Sequence, residues 1–214
     1  MNVEIMAVII GWLLGILSTP LVIYISGEVE RRRFKDVLKE ELREVRFRLA
    51  LSAYQLRLHL RKIDRSFLEW MVVEMNAYTN DPLRNSTLEV VRSMLRLSNE
   101  DLLAINSELR NPVGTKSFPK VILPYLSSKT EAIALLCSAQ QKELVNLLHY
   151  VETINVKSTE LAEWNVVSFQ IDNNENHARA SRNADGSIQA ISDAAEKSIA
   201  CIKNYFKLDI QIKE

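Results

Sequence analysis

Three arginines carry the clearest chemical pattern in the sequence. Arg57, Arg61 and Arg65 recur every four residues, with Lys62 beside them and Tyr54 nearby. On one helix this spacing makes a basic face, and guanidinium groups bind the phosphates of RNA or of an anionic nucleotide. The alternative is a solvated face whose arginines pair with acids on neighbouring helices. We favour that alternative, because the formal net charge is zero and aromatic stacking residues are few.

No other residues form a recognisable catalytic or metal-binding pattern. His59, His149 and His177 have no ligand-like neighbours at helical spacing, and Cys137 and Cys201 do not form a C-x-x-C pair. Phosphate-binding glycine loops, zinc-binding helices and serine-nucleophile motifs do not occur in the sequence. We therefore predict a protein that is not an enzyme and that uses no cofactor and no metal.

An apolar run opens the chain and sets the predicted architecture. Residues Ile5 to Ile25 carry no charge, and about 20 such residues suffice for a helix to cross a bilayer. A signal peptide would place basic residues before the run, whereas here they follow it. The sequence predicts a transmembrane anchor over 1–27, with its amino terminus outside the inner (cytoplasmic) membrane and residues 28–214 in the cytoplasm.

Small residues recur along this run. Ala7, Gly11, Gly15 and Thr19 lie four residues apart, a spacing that lets helix backbones approach closely in lipid. We predict that the helix self-associates through this stripe. The alternative is that the pattern arises by chance, because glycine is common in membrane helices.

A cluster of basic residues follows the run. Arg31, Arg32, Arg33 and Lys35 could contact anionic lipid headgroups, each worth about 1 kcal/mol near the surface. They could equally serve only to set the topology of the span. Both roles are compatible.

The remainder of the chain predicts an all-α fold. Scarce glycine and proline and helical apolar spacing favour an antiparallel helical bundle with a long first helix. The expected helices cover about 28–78, 82–110 in shorter pieces, 129–172 and 187–206. Gly27 is the expected interruption between anchor and bundle.

Local signals set the expected helix starts. These are Asp81-Pro82, the capping spacing from Ser98 to Asp101, a similar spacing from Ser128 to Glu131, and Asp185-Gly186-Ser187. The helix expected at 129–172 has a row of residues at helical spacing that should face the bundle core, and we expect the carboxyl end of this row to face water. The row consists of Ile133, Cys137, Gln140, Leu144, Leu147, Val151, Ile154, Ser158, Leu161 and Asn165.

One amino-terminal span joined to a helical cytoplasmic domain is similar in topology to some membrane-pore accessory proteins of bacterial antiviral systems. We therefore predict a self-associating membrane effector that perturbs the bilayer or forms a pore in a bacterial stress or antiphage response. The alternatives are a membrane-tethered scaffold recruiting a cytoplasmic protein and a sensor that binds RNA or a nucleotide through the arginine face. The expected partners are membrane lipid and further copies of the chain, and nucleic acid is disfavoured.

Overall fold

The structure is a computed structural model, and it describes residues 3–78, 82–108, 118–170 and 174–211. Every regular element in these ranges is helical, which confirms the all-α class. The elements are α1 (Val3–His59), α2 (Arg65–Asn76), α3 (Pro82–Leu95), α4 (Asn99–Glu108), α5 (Pro124–Ser128), a 3-10 helix (Thr130–Leu135), α6 (Ser138–Gln170) and α7 (Asn174–Gln211).

Helix α7 forms the centre of the bundle, packing against both α6 and α1. Gln140 at the start of α6 donates to Asp209 near the end of α7, so these two helices are antiparallel. On the other side, α7 contacts α1 through Asp209 with Lys35 and through Glu196 with Arg57. Helix α7 therefore also runs antiparallel to α1, and α1 and α6 point the same way.

Helices α2 and α3 form a shorter hairpin that covers the part of α1 also contacted by α7. Helix α2 turns back along α1 and places the ring of Tyr78 on that of Phe47, with centroids 4.6 Å apart. Helix α3 packs mainly against α2. The apolar side chains of these helices join one continuous core with α6 and α7.

The inward row predicted for the second long helix is confirmed where α6 carries it. Every row position from Gln140 to Leu161 is buried, including Ser158, whose hydroxyl donates to the carbonyl oxygen of Ile154. The expectation that the row opens to water near its carboxyl end is wrong at Ser158, which is 4% exposed. A buried hydroxyl is tolerated there because its hydrogen bond stays within its own helix.

The predicted long helix over 28–78 is wrong, because it is divided into α1 and α2. Helix α1 ends at His59, and Arg61 takes the left-handed conformation with φ 57°. The Asp64 carboxylate then accepts a hydrogen bond from the Phe67 amide at 2.8 Å and caps α2. The apolar spacing continues through Leu60 and Ile63 and so hides this break from a periodicity argument.

Two other helices start at residues that differ from the predicted ones. The expected helix at 129–172 begins as the 3-10 helix, and α6 itself starts only at Ser138. The expected final helix at 187–206 is the carboxyl part of the longer α7, and Gly186 lies inside it. Within the region expected at 82–110, α3 starts at Pro82 and the Ser98–Asp101 capping box opens α4, as predicted.

Helix α1 is continuous from the uncharged run into the bundle. It contains Pro20 and passes through Gly27 without a break, so the interruption predicted at Gly27 is wrong. Among the residues that the structure describes, no helix is both long and apolar enough to cross a membrane. Several side chains of the uncharged run, including those of Ala7 and Thr19, lie outside that description.

Candidate functional site

The amino-terminal part of α1 extends beyond the bundle. Phe34 is the first side chain along α1 that the structure describes as buried. We call residues 3–29 the apolar arm. At about 1.5 Å per residue, a helix of this length extends roughly 40 Å.

The surface of this arm is unusually apolar for a segment outside a core. Trp12 is 67% exposed, and the consecutive residues Leu21 to Ile25 are each more than half exposed. Contiguous exposed apolar surface is typical of sites that contact another protein or a membrane. Its exposed large apolar side chains are Met6, Trp12, Ile16, Leu21, Val22, Ile23, Tyr24, Ile25 and Val29.

The predicted small-residue stripe lies on this arm. A Cβ atom added to Gly11 or Gly15 would meet nothing within 4 Å, so neither glycine is needed for packing within one chain. The side chains of Ala7 and Thr19 lie outside the described residues. The two glycines are thus available to a neighbouring helix.

Two serines on the arm turn their hydroxyl groups back onto the helix. Ser18 Oγ donates to the carbonyl oxygen of Gly15 at 2.9 Å, and Ser26 Oγ donates to that of Val22 at 2.8 Å. Such bonds satisfy a hydroxyl without a partner outside the helix. Neither serine hydroxyl therefore needs a hydrogen-bond partner outside the arm.

The predicted basic cluster, which we call the collar, contains Arg31, Arg32, Arg33 and Lys35 but does not act as one unit. Arg31 and Arg32 both contact the carboxylate of Glu28, at 3.4 and 3.1 Å. Lys35 Nζ lies 2.9 Å from Asp209 Oδ1. Arg33 forms no hydrogen bond or ion pair with the described residues.

Asp209 joins the collar to the end of α7. Its carboxylate is almost fully buried and contacts Lys39 at 2.5 Å as well as Lys35. Burial alone would raise the pKa of this carboxyl, but the hydrogen bonds and positive charges of Lys39 and Lys35 outweigh it and lower the pKa to about 2. The group is therefore ionised at neutral pH, and it ties the base of the arm to the bundle.

The three arginines of the predicted phosphate-binding face are separated by the break after α1. Arg57 contacts Glu196 of α7 at 2.7 Å, and its guanidinium lies 4.5 Å from the centre of the Phe67 ring. Arg65, at the start of α2, donates to the carbonyl oxygens of Leu95 and Leu97. Arg61 is exposed in the intervening turn. The structure does not assemble these arginines into one stripe.

Sequence patterns gave no indication of a second buried charge cluster. Glu74 of α2 is fully buried as a side chain, and it contacts Arg46 of α1 at 2.6 Å and Lys203 of α7 at 3.1 Å. The cluster links three helices at residues far apart in the sequence. Because both cations pair with the same buried carboxylate, we interpret the cluster as structural.

The remaining candidate groups of the sequence are its cysteines and histidines. Burial, followed by the negative charge of Glu143, raises the pKa of the Cys201 thiol to about 11, so it is not a reactive thiolate at neutral pH. Within the described ranges, histidine, cysteine and acidic residues form no group of three that could hold a metal ion.

Comparison with known proteins adds no assignment to these observations. The chain matches no protein-family model, no curated protein and no solved structure. The apolar arm and the collar therefore provide the main physical basis for inferring a function.

Proposed function

We propose that this chain is a membrane-anchored helical bundle that self-associates through its amino-terminal helix and acts as a membrane-perturbing effector in a bacterial stress or antiphage response. The observation that carries the proposal is the apolar arm, which exposes large apolar side chains beyond the first buried residue of α1. Leaving this surface in water is unfavourable, and lipid would cover it.

The sequence supports a membrane over a protein partner as the covering surface. Ile5 to Ile25 carry no charge, and the basic collar follows directly. Charge-free length followed by basic residues is the arrangement of a single span with its carboxyl side in the cytoplasm. On this proposal the arm inserts in the inner membrane and the bundle lies in the cytoplasm.

Self-association is supported by the glycines. Helices in lipid associate where small residues allow close backbone contact, and Gly11 and Gly15 have open space around them. A membrane-tethered scaffold would need the same anchor but not a particular helix–helix interface. The identity of the span therefore distinguishes the two functions.

The test replaces residues 1–27 with an unrelated membrane span and measures membrane potential in cells that overproduce the protein. Wild type should depolarise the cells, and the chimera should not, although flotation shows it on the membrane. An active chimera would contradict the effector and favour the scaffold. A wild-type chain that does not float with vesicles would contradict membrane anchoring itself.

A further inference from the structure

The base of the apolar arm forms one side of a groove. Val22, Ile25 and Val29 supply its apolar wall, while Phe34 lies where the arm enters the bundle. Ala132 of the 3-10 helix lies on the opposite side. The groove has a volume of about 780 Å³, within the range of roughly 300–1,000 Å³ that is typical of ligand pockets.

Two cations line the same groove and have no partner in the described chain. Arg33 comes from the collar, and Lys129 comes from the segment between α5 and the 3-10 helix. Neither side chain makes a hydrogen bond or an ion pair with the described residues. The other collar residues differ in this respect, since Arg31 and Arg32 contact Glu28 and Lys35 contacts Asp209.

We propose that this groove binds one anionic phospholipid, with its phosphate between Arg33 and Lys129 and an acyl chain along Val22, Ile25 and Val29. An apolar wall beside two free cations complements an amphiphile with a negative headgroup. Glu30 also lines the groove, so the three charged side chains leave a net charge of +1. The proposal deepens the proposed membrane function and rests on it.

A second copy of the arm fits the groove less well. Residues 5–25 contain no carboxylate, so this part of a neighbouring arm lying in the groove would leave Arg33 and Lys129 without a counter-charge from that arm. Apolar contact alone would then have to offset the desolvation of two cations. A lipid supplies both the apolar chain and the phosphate.

The experiment places the photo-reactive residue benzoylphenylalanine at Val37, which lines the groove and is 43% exposed. The full chain is irradiated in vesicles of phosphatidylcholine mixed with phosphatidylglycerol, and in detergent micelles containing the same lipids. Mass spectrometry identifies the attached molecule. We expect phosphatidylglycerol adducts to exceed phosphatidylcholine adducts by roughly thirtyfold at equal lipid concentration, as two headgroup contacts of about 1 kcal/mol each imply.

Three variants test the assignment of the headgroup. Arg33→Gln with Lys129→Gln should remove the preference, and Glu30→Gln should increase it. The matched control is Arg43→Gln with Arg48→Gln, which removes two positive charges from exposed residues outside both the collar and the groove lining and should preserve the preference. Retention by the first variant, or loss in the control, would overturn the proposal.

Two further outcomes would also overturn it. Crosslinks between two protein chains in place of lipid adducts would show that a second copy fills the groove, and equal labelling by both lipids would show no headgroup recognition. Flotation of the same samples tests anchoring separately. A chain that floats but shows no lipid preference would disprove only the groove, while selective labelling in micelles without flotation would disprove only the anchor.

Discussion

Lys35 Nζ lies 2.9 Å from Asp209 Oδ1, so the base of the apolar arm is bonded to the last turns of α7, 174 residues later in the chain. Lys39 contacts the other oxygen of the same carboxylate. Both lysines are mostly buried, and buried ion pairs are costly to break because the remaining charge has no counter-charge. The junction therefore joins α1 at the collar to the end of α7.

Asp209→Asn should destabilise the protein strongly. The change leaves Lys35 and Lys39 without a negative partner, and we expect the free energy of unfolding to fall by about 3 kcal/mol. Urea unfolding of the full chain in detergent, followed by circular dichroism, measures this. The control is Glu160→Gln, which removes a partially exposed pair with Lys157 and should cost less than about 1 kcal/mol. Similar losses in both variants would contradict the role given to Asp209.

The same carboxylate predicts a specific acid dependence. Its pKa lies near 2 in the folded chain, below its ordinary value of 3.8. Because this carboxyl has a lower pKa in the folded chain than in the unfolded chain, it stabilises the folded protein fully at any pH above the unfolded pKa. That stabilisation is lost as the pH falls from about 4 to about 2. Wild type should lose about 2 kcal/mol more than Asp209→Asn over this window, measured by urea unfolding at each pH. Parallel pH curves would contradict the assignment.

The three arginines should respond unequally to substitution. Arg57→Gln and Arg65→Gln each remove charged hydrogen bonds to Glu196 or to backbone carbonyls, and each should cost about 1–2 kcal/mol of unfolding free energy. Arg61→Gly should be neutral or stabilising by up to about 1 kcal/mol, because glycine adopts a positive φ without strain. Thermal unfolding checks this order.

A binding assay with the same variants tests the nucleotide-sensor alternative. Wild type should retain RNA and nucleotides only at background, because Arg57 and Arg65 already have partners. Salt-sensitive retention that Arg57→Gln and Arg65→Gln abolish would instead support an anionic ligand at these residues.

Local sequence signals predicted elements whose stabilising contacts are close along the chain. The α4 cap forms between Ser98 and Asp101, and the buried row of α6 follows from a spacing within one helix. The break after α1 was missed because its causes are not periodic. Arg61 has a positive φ without being glycine, and Asn106, distant in sequence, holds the turn through bonds to both backbone groups of Ile63.

Sequence reasoning also found the apolar arm and the collar but not their contacts. Lys35 was grouped with Arg33 because the two are neighbours, although Lys35 pairs with Asp209 and Arg33 lines the groove. The partner of each cation depends on how α7 and the 3-10 helix pack on α1. The helix start predicted at Asp185-Gly186-Ser187 was wrong for a related reason. Packing along α7, where Ser187 and Ile188 are buried, outweighs the local turn signal.

The proposed orientation predicts a protease result. If the arm crosses the membrane with the collar on the cytoplasmic side, protease added outside intact spheroplasts should leave residues 28–214 undigested. Immunoblotting with an antibody against the bundle measures this, and detergent lysis should make the same sites accessible. Digestion of the bundle before lysis would show that the orientation is reversed.

Gly11→Leu combined with Gly15→Leu should weaken assembly without harming the bundle. A Cβ added at either glycine meets nothing within the chain, so we expect leucine there to interfere with the approach of a neighbouring helix. Leucine also favours the helix by roughly 1 kcal/mol over glycine, so helicity should be preserved. Cross-linking and light scattering in detergent should show smaller assemblies than wild type.

Gly186→Leu provides the matched control for this pair. It lies in a helix, and an added Cβ there also meets nothing within 4 Å, but it is on α7 and not on the arm. The control should therefore keep the wild-type assembly and, on the effector proposal, the ability to depolarise cells, which the arm variant should lose. An arm variant with full assembly would show that the glycines form no interface. An arm variant that dissociates yet still depolarises cells would show that self-association through the arm is not needed for the effect on the membrane.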